Sequence, residues 1–544
     1  MISLTNNKGF SWNIYGDTFV KGYIYDTDNK LSGYIGSLKL QNRYNEEDFI
    51  NVLKEINGHY AIVIENDDYI FAVTDRIRSI PLFYSFRDKD LIISDDANYM
   101  IECLDDKSID EVSIREFKLA GYVTGNDTLY KNIKQLGAGE VLIFNKSNEE
   151  LKISKYFKFN HMNFMDEGDI ELINKLEKTY LNVFSRMVES LDGRMAVIPL
   201  SGGQDSRLVA FMLKKLGYEN VICYSYGIKE NAESMISKQV ATYLGYKWYF
   251  VEYTRAIWNQ WYSSHEQEQY KTYSSNLVSC PHFQDFLAIK ELKDKSILPI
   301  DSVIIPGHAA DFIQGSHIPK SFLNKNIISQ KVVITSILDN HYNKCKWSKG
   351  DKKYYSKIID KIEDIVGENN YMNPEQATDK FEYWEWQERQ AKFIANSVRV
   401  YEFFDYEWRL PFWDREIFEY WGKVSIDNRI GRSLHYKYVN ATQKELLEYL
   451  NINMPDNHNK SNKEKIKEKI KKEYNWLYDI LLKMAIIRNK IFGYYKDPLQ
   501  WYGIISYHKY IKNAFRFNNI DSFIIYDYLL DFKDINKIDM ELEA

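Results

Sequence analysis

The segment Ser201-Gly202-Gly203-Gln204-Asp205-Ser206 sets several kinds of chemistry side by side. Adjacent glycines let a backbone approach a ligand closely. A helix that follows presents unpaired N–H groups and the positive end of its dipole. With the hydroxyls of Ser201 and Ser206, that makes a site suited to phosphate. Asp205 is out of place beside an anion unless a cation lies between them, and Mg²⁺ is the cation that suits carboxylate and phosphate oxygens together. The competing reading is the polar cap of an ordinary βα turn. The six-residue pattern between a buried strand and a helix argues against it.

Such a loop needs a strand to deliver it and a helix to receive it. Residues 195–200 (MAVIPL) read as a short buried strand, 201–206 as the loop, and 207–216 (RLVAFMLKKL) as a helix ended by Gly217. A strand at 220–226, a helix at 232–244 ended by Gly245 and a strand at 246–252 follow. Strands alternating with helices through short connections predict a parallel sheet covered on both faces. Just upstream, 170–190 carries Ile170, Leu172, Leu176, Leu181, Phe184 and Met187 at helical spacing, the apolar face of one helix.

Before about residue 150 the pattern is of strands instead. FSWNIY, VKGYIYD, HYAIVIENDDYIFAVTD, PLFYSFRDKDLIISDD and GEVLIFN are separated by turn signals such as Asn57-Gly58 and Gly137-Ala138-Gly139. This first part is β-rich and buries its faces sheet on sheet or sheet on helix. From about residue 320 the chain is mainly helical and aromatic. The charge-dense run 459–476 (NKSNKEKIKEKIKKEYNW) reads as a solvated helix face or mobile loop.

Composition excludes several classes of function. The 544 residues are 45% hydrophobic and 27% charged, which excludes disorder as the main state. With 71 basic and 77 acidic side chains the formal charge is −6, so no global basic field holds a nucleic acid. The cysteines (Cys103, Cys223, Cys280, Cys345) are scattered, neither a disulfide framework nor a zinc ribbon. No apolar run approaches the ~20 residues of a spanning helix, and no signal peptide is read, so a cytoplasmic protein is expected. There is no GxxxxGK[ST], no dinucleotide fingerprint, and the HExxH begun at His265-Glu266 fails at Gln269.

The SGGxDS pattern after a buried strand resembles the phosphate loop of the PP-loop ATP pyrophosphatases, and within that group the chain resembles the asparagine synthetase family. Tyr224-Ser225-Tyr226-Gly227 matches the end of the family's second strand, which flanks adenine, and Glu233 matches an acidic position beyond it. VIIPGHAADFIQGSH (303–317) matches the strand–SGEGSDExxxG stretch, EWRLPFWD (407–414) the E-x-R-x-P-F-L-D motif, and HYKYV (435–439) the segment of the catalytic lysine. Earlier, 56–68, 74–84 and 129–144 match the glutaminase domain, an Ntn-hydrolase sandwich. The resemblance runs to about residue 440. It implies an α/β plus α+β architecture: a degenerate glutaminase-like domain over 1–165 and a PP-loop synthetase domain over 166–544.

The same resemblance implies an ATP-dependent ligase. A substrate carboxylate attacks the α-phosphorus of ATP, and ammonia or an amine displaces AMP from the acyl-adenylate. Leu200, Ser201, Gly202, Gly203, Asp205, Ser206, Tyr226 and Gly307 would surround the nucleotide, and Asp205 and Asp311 would hold Mg²⁺. Lys437 would neutralise charge growing on the phosphates. Arg409 and Asp414 are expected to be structural.

Two departures stand out. The family's glutaminase uses a cysteine as first residue of the mature chain, whereas this sequence reads Met1-Ile2-Ser3. Glutamine hydrolysis is therefore not expected, a loss like that in β-lactam synthetases, and ammonia would come from solution or a separate source. His308 replaces the family's Glu and is a candidate general base, and Pro306 replaces a Ser. The acid would be aspartate or another acid, such as a sugar acid of a surface polysaccharide; a homodimer is compatible with the resemblance. The alternatives are another PP-loop chemistry, such as tRNA modification, and a non-catalytic nucleotide-binding scaffold.

Overall fold

Apolar strands of two kinds build the molecule: half-buried ones that alternate, and short ones buried on both faces. The computed structural model describes residues 1–25, 46–87, 89–452, 484, 487–488 and 490–532. The charge-dense run 459–476 lies outside the described residues.

Among the described residues, the first 155 supply ten strands. They are β1 (Ile2–Ser3), β2 (Asn13–Tyr15), β3 (Thr18–Ile24), β4 (Gly58–Glu65), β5 (Tyr69–Thr74), β6 (Phe83–Arg87), β7 (Asp90–Ser94), β8 (Lys134–Gln135), β9 (Glu140–Asn145) and β10 (Glu150–Lys155). Six form an antiparallel sheet in the order β10-β9-β5-β4-β3-β2, and four form a second sheet, β1-β7-β6-β8. Strand β4 shows why both faces must be covered. Ala61 and Val63 enter the main core, while Tyr60, Ile62 and Ile64 pack on the other side with Phe49 and Leu53 of the helix Glu46–Glu55.

The second half is built on a parallel sheet: β11 (Ala196–Pro199), β12 (Val221–Gly227), β13 (Lys247–Glu252), β14 (Val303–Ile304) and, after a small hairpin of β15 (Ile328–Ser329) and β16 (Tyr371–Met372), β17 (Glu407–Trp408). The order is β13-β12-β11-β14-β17, every pair parallel. Central β11 is AVIP, with Ala196, Val197 and Ile198 fully buried, as a strand covered on both faces requires. From β11 the chain lays β12 and β13 to one side and β14 and β17 to the other. The carboxyl ends of β11 and β14 therefore form the switch point where open α/β sheets bind ligands.

The expected helices form with two adjustments. The helix after β11 spans Gln204–Lys215 with Gly203 as its N-cap, so Gln204, Asp205 and Ser206 are its first turn and the loop shortens to Ser201–Gly203. In the helix Asp169–Leu191, Ile170 is 79% exposed and Leu181 only half-buried. Ile170 lies in the first turn; Leu172, Leu176, Tyr180, Val183, Phe184, Met187 and Leu191 make the packed face.

The two halves share one core. Tyr23 packs edge-on to Trp408 and Phe159 to Phe418, with ring centroids 5.8 and 5.1 Å apart. Among the described residues, no helix is long and apolar enough to cross a membrane.

Candidate active site

A cavity of about 350 Å³ opens at the switch point. Ser201, Gly203, Asp205, Ser206, Tyr226, Gly307 and His308 line it, joined by His282, Gln284, Asp285 and Ser397. Of the residues expected around a nucleotide, Leu200 lies just behind, buried and bonded through its N–H to the Tyr224 carbonyl (2.9 Å).

The loop holds its own shape. The Gly203 N–H donates to Ser201 Oγ, the Ser201 N–H donates to Ser206 Oγ, and the two hydroxyls lie 3.1 Å apart, all bonds of 3.1 Å. Gly202 runs against Glu233: a Cβ there would lie 3.1 Å from the Glu233 Cα. Gly307 is tighter, since its Cβ would come within 2.5 Å of the Ser206 nitrogen. The two strand ends therefore meet backbone to backbone, which only glycine permits at position 307.

Two carboxylates follow these strands. Asp205 is in the first turn of its helix and Asp311 in the short helix Ala310–Ile313, after Ala309 at φ 67°. Arg432 pairs with Oδ1 of Asp205 and donates from Nε to Gln314 Oε1 (2.9 Å). Burial pushes Asp205 up to about 6, with Arg432 opposing and Asp311 reinforcing the shift. His317 reaches Asp311 Oδ2 at 3.2 Å through Nε2 and bonds Glu385 through Nδ1. Burial disfavours the imidazolium, but Glu385 and Asp311 outweigh it and raise His317 to about 10. Asp311 is held well below the usual carboxylate range against its burial, chiefly by His317. Each carboxylate keeps one oxygen outside these ion pairs. Paired carboxylate oxygens beside a phosphate loop fit Mg²⁺, which is satisfied by one or two carboxylates plus phosphate. Among the described residues, no cluster of three or more His, Cys, Asp or Glu could hold a metal.

Histidine and tyrosine also line the cavity. Ser397 Oγ donates to the Ile394 carbonyl (2.7 Å) and lies 3.0 Å from His308 Nδ1. With its proton so directed, the hydroxyl accepts from Nδ1–H, an assignment that leaves His308 Nε2 bare. Burial lowers the His308 pKa, with Asp285 and Asp311 opposing, so the ring is neutral at pH 7. Asp285 accepts from the hydroxyls of Tyr226, Tyr401 (2.6 Å) and Tyr224 (3.4 Å). Tyr226 also stacks on Tyr253 at 5.0 Å.

Lys437 is not brought to this cavity; it pairs with Asp169 at 2.6 Å on the outer surface. Arg409 bonds Ser190 Oγ (2.9 Å) and covers the Tyr23 ring, and Asp414 ties together Asn57 and Arg186. The sequence reading missed Arg432, Asp285, His282, Ser397 and the His317–Glu385 pair. It also missed Arg207, a buried guanidinium that donates from one Nη to the Gly202 carbonyl (3.2 Å), while its Nε and other Nη find no partner among the described residues. His435, fully buried near Arg207 and Arg432, has neither ring nitrogen bonded. Among the described residues, Arg207 thus sets a guanidinium without an acidic partner against the loop.

A mainly antiparallel two-sheet half is thus fused to a parallel α/β half that carries a diglycine loop at its switch point. A family model described as asparagine synthase matches residues 192–481, just over half of the chain, and one described as a glutamine amidotransferase domain matches 42–157. The chain belongs to the asparagine synthase family. No curated protein matches it. Among solved structures it is similar to the allosteric regulatory enzyme of purine biosynthesis, with 10% identity over 45% of this chain and 63% of that one and a TM-score of 0.19. It is also similar to glutamine phosphoribosylpyrophosphate amidotransferase from B. subtilis complexed with ADP and GMP, with 10% identity over 54% and 63% and a TM-score of 0.18. The chain spans about 63% of the length of each.

Proposed function

We propose that this protein is an ATP-dependent amide-forming ligase that activates a carboxylate as an acyl-adenylate and passes the acyl group to ammonia or an amine. The observation that carries this reading is the juxtaposition at the switch point. The first turn of the helix Gln204–Lys215 offers backbone N–H groups, Asp205 and Asp311 follow adjacent strand ends, and His308 lines the same cavity as Asp205. Helix N-termini bind phosphate, and the guanidinium groups of Arg207 and Arg432 add positive charge on the same side. Mg²⁺, held by Asp205 and Asp311, would neutralise the phosphate oxygens as pyrophosphate leaves.

In this reading the chain's own residues divide the work. Ser201, Gly203 and Ser206 orient the β- and γ-phosphates, and Arg432 turns from Asp205 towards the pyrophosphate when nucleotide enters. Neutral His308 accepts the proton of the attacking amine at Nε2, a role open to an imidazole poised below its ordinary pKa. Lys437 keeps its proposed charge role only if the helix Ser433–Thr442 moves.

Glutamine is not the nitrogen source in this reading. The thiols of Cys223, Cys280 and Cys345 are buried and pushed up by burial, the reverse of an activated nucleophile. The two halves join across 156–168, which supports the boundary we place at 165/166.

The test is pyrophosphate and AMP release from ATP across a panel of acids, with ammonium or glutamine as nitrogen donor. Product with ammonium and none with glutamine is expected. Glutamate released from glutamine would overturn the nitrogen assignment. Absence of Mg²⁺-dependent nucleotide binding in calorimetry would overturn the ligase itself.

A further inference from the structure

Glu385 is fully buried, yet it reaches the edge of the nucleotide cavity through one side chain. It is the last residue of the helix Pro374–Glu385, and a π-helix, Trp386–Ile394, begins at the next position. Insertions of this kind recur at functional sites. Here the segment is anchored in the other half of the molecule, since Trp386 Nε1 donates to the Arg76 carbonyl at 2.9 Å. Its far end, Ile394, lines the cavity and receives the Ser397 hydroxyl.

We propose that His317, gripped by Glu385, positions Asp311 for the divalent metal. This inference rests on the function proposed above. The imidazole bridges two carboxylates: Nδ1 meets Glu385 Oε1, and Nε2 lies 3.2 Å from Asp311 Oδ2. Carboxylates accept only, so both ring nitrogens donate and the ring is cationic and fixed in orientation. Glu385 cannot swing, because Oε1 also accepts from Arg389 Nη1 (3.0 Å) and Gln390 Nε2 (3.3 Å). Ser316 Oγ adds a long contact, 3.5 Å, to the same Asp311 oxygen. With Oδ2 engaged, Oδ1 is the oxygen left for a metal.

A purely structural role explains less. Arg389 already pairs Glu385, whereas the contact to Asp311 reaches a half-exposed carboxylate beside Asp205. Partners of this kind fix a ligating carboxylate, and removing one costs about 10–100-fold in metal affinity.

The experiment titrates Mn²⁺ into the full-length protein with an ATP analogue carrying a non-hydrolysable α–β bridge, followed by electron paramagnetic resonance. Analogue binding without metal is measured in parallel. His317→Leu is expected to weaken Mn²⁺ by about 10–100-fold and to leave metal-free analogue binding within two-fold. Glu385→Gln keeps the volume and an acceptor, and should shift Mn²⁺ affinity the same way by a smaller factor. It carries the test should His317→Leu fail to fold. Folded variants with wild-type Mn²⁺ affinity would overturn the positioning role alone. Wild-type protein that took up no metal with the analogue would overturn the ligase reading, and this inference with it.

Discussion

Asn57 and Asp414, 357 positions apart, meet in a buried hydrogen bond: Asn57 Nδ2 donates to Asp414 Oδ2 at 2.9 Å. Asn57 Oδ1 accepts from the Arg415 N–H (3.1 Å), and the other Asp414 oxygen accepts from Arg186 (3.0 Å). One residue of the amino-terminal half thus closes the turn that starts the helix Arg415–Trp421. Replacing Asn57 by Ala leaves a buried carboxylate oxygen and a backbone N–H short of partners, at about 1–3 kcal/mol for each unsatisfied group. Calorimetry should show one transition at lower temperature, both halves melting together. Two separate transitions in the wild type would remove the claim that the halves form one cooperative unit.

Gly307→Ala tests the meeting of the strand ends. The added methyl would sit 2.5 Å from the Ser206 nitrogen and 2.7 Å from the Asp205 carbonyl carbon, backbone atoms that cannot rotate away. Overpacking of this sort costs about 1–3 kcal/mol, and here the strain falls on the phosphate loop. The variant should fold with reduced stability and lose nucleotide binding measurably in calorimetry. Unchanged binding would mean that the loop is not where the phosphates sit.

Asp205→Asn and Arg432→Met separate metal from phosphate. The amide keeps the shape of the carboxylate but removes its charge, so pyrophosphate release should fall by about 10²-fold or more, the scale of losing a group aimed at developing charge. Arg432→Met frees Asp205 and should leave metal uptake intact while weakening nucleotide affinity. If pyrophosphate release by Asp205→Asn ran at the wild-type rate, Asp205 would hold no essential metal. The two variants failing identically would instead point to simple loss of structure at the Asp205–Arg432 pair.

His308→Ala should retain nucleotide binding and lose about 10²–10⁴ in amide formation, the usual contribution of a positioned base. His308→Glu restores the residue that the family pattern carries and should recover part of that loss. Rapid-quench measurement distinguishes the steps: adenylation should be little changed in either variant. A slowed adenylation step would place His308 on the acid rather than on the amine.

The strand–loop–helix unit was legible because local signals coincide there: a short apolar run, two glycines and an amphipathic repeat. The residues that complete the site carry no such signal. Arg432 reaches Asp205 from 227 positions away, and Glu385 reaches His317 from 68, out of helical sequence without a motif. Charged residues in that region read as solvated until packing buries them. Lys437 shows the converse. Within Ser433–Thr442 the buried residues are Leu434, His435, Tyr438 and Val439, a face that leaves 437 on the outside. The helical period of the buried residues alone places position 437 on the outward side. The helix start at Gln204 is hidden for a simpler reason: Asp and Ser favour caps and turns by propensity, whereas here Gly203 takes the cap and they enter the first turn.

Acid should destabilise the fold as pH falls below about 6.5, because several histidines are buried neutral. His59, packed against Tyr23 and Trp408, is pushed down to about 3 by burial, with Arg409 and Arg76 adding to the shift. His341 is likewise lowered to about 3, by burial that Glu385 only partly offsets. In the unfolded chain each titrates near 6.5, so below that pH the unfolded state binds protons that the folded state refuses. Stability is therefore fully present above about pH 6.5 and is lost as pH falls, by about 1.4 kcal/mol per pH unit for each such histidine. Between pH 6.5 and 5 that is about 2 kcal/mol from His59 alone. His59→Phe keeps an aromatic ring between Tyr23 and Trp408 and removes the titration. Urea denaturation at pH 7.0 and 5.5 should give a smaller difference in the variant than in the wild type. Equal differences would show that His59 takes its proton within the folded protein, and that its ring is reached by water.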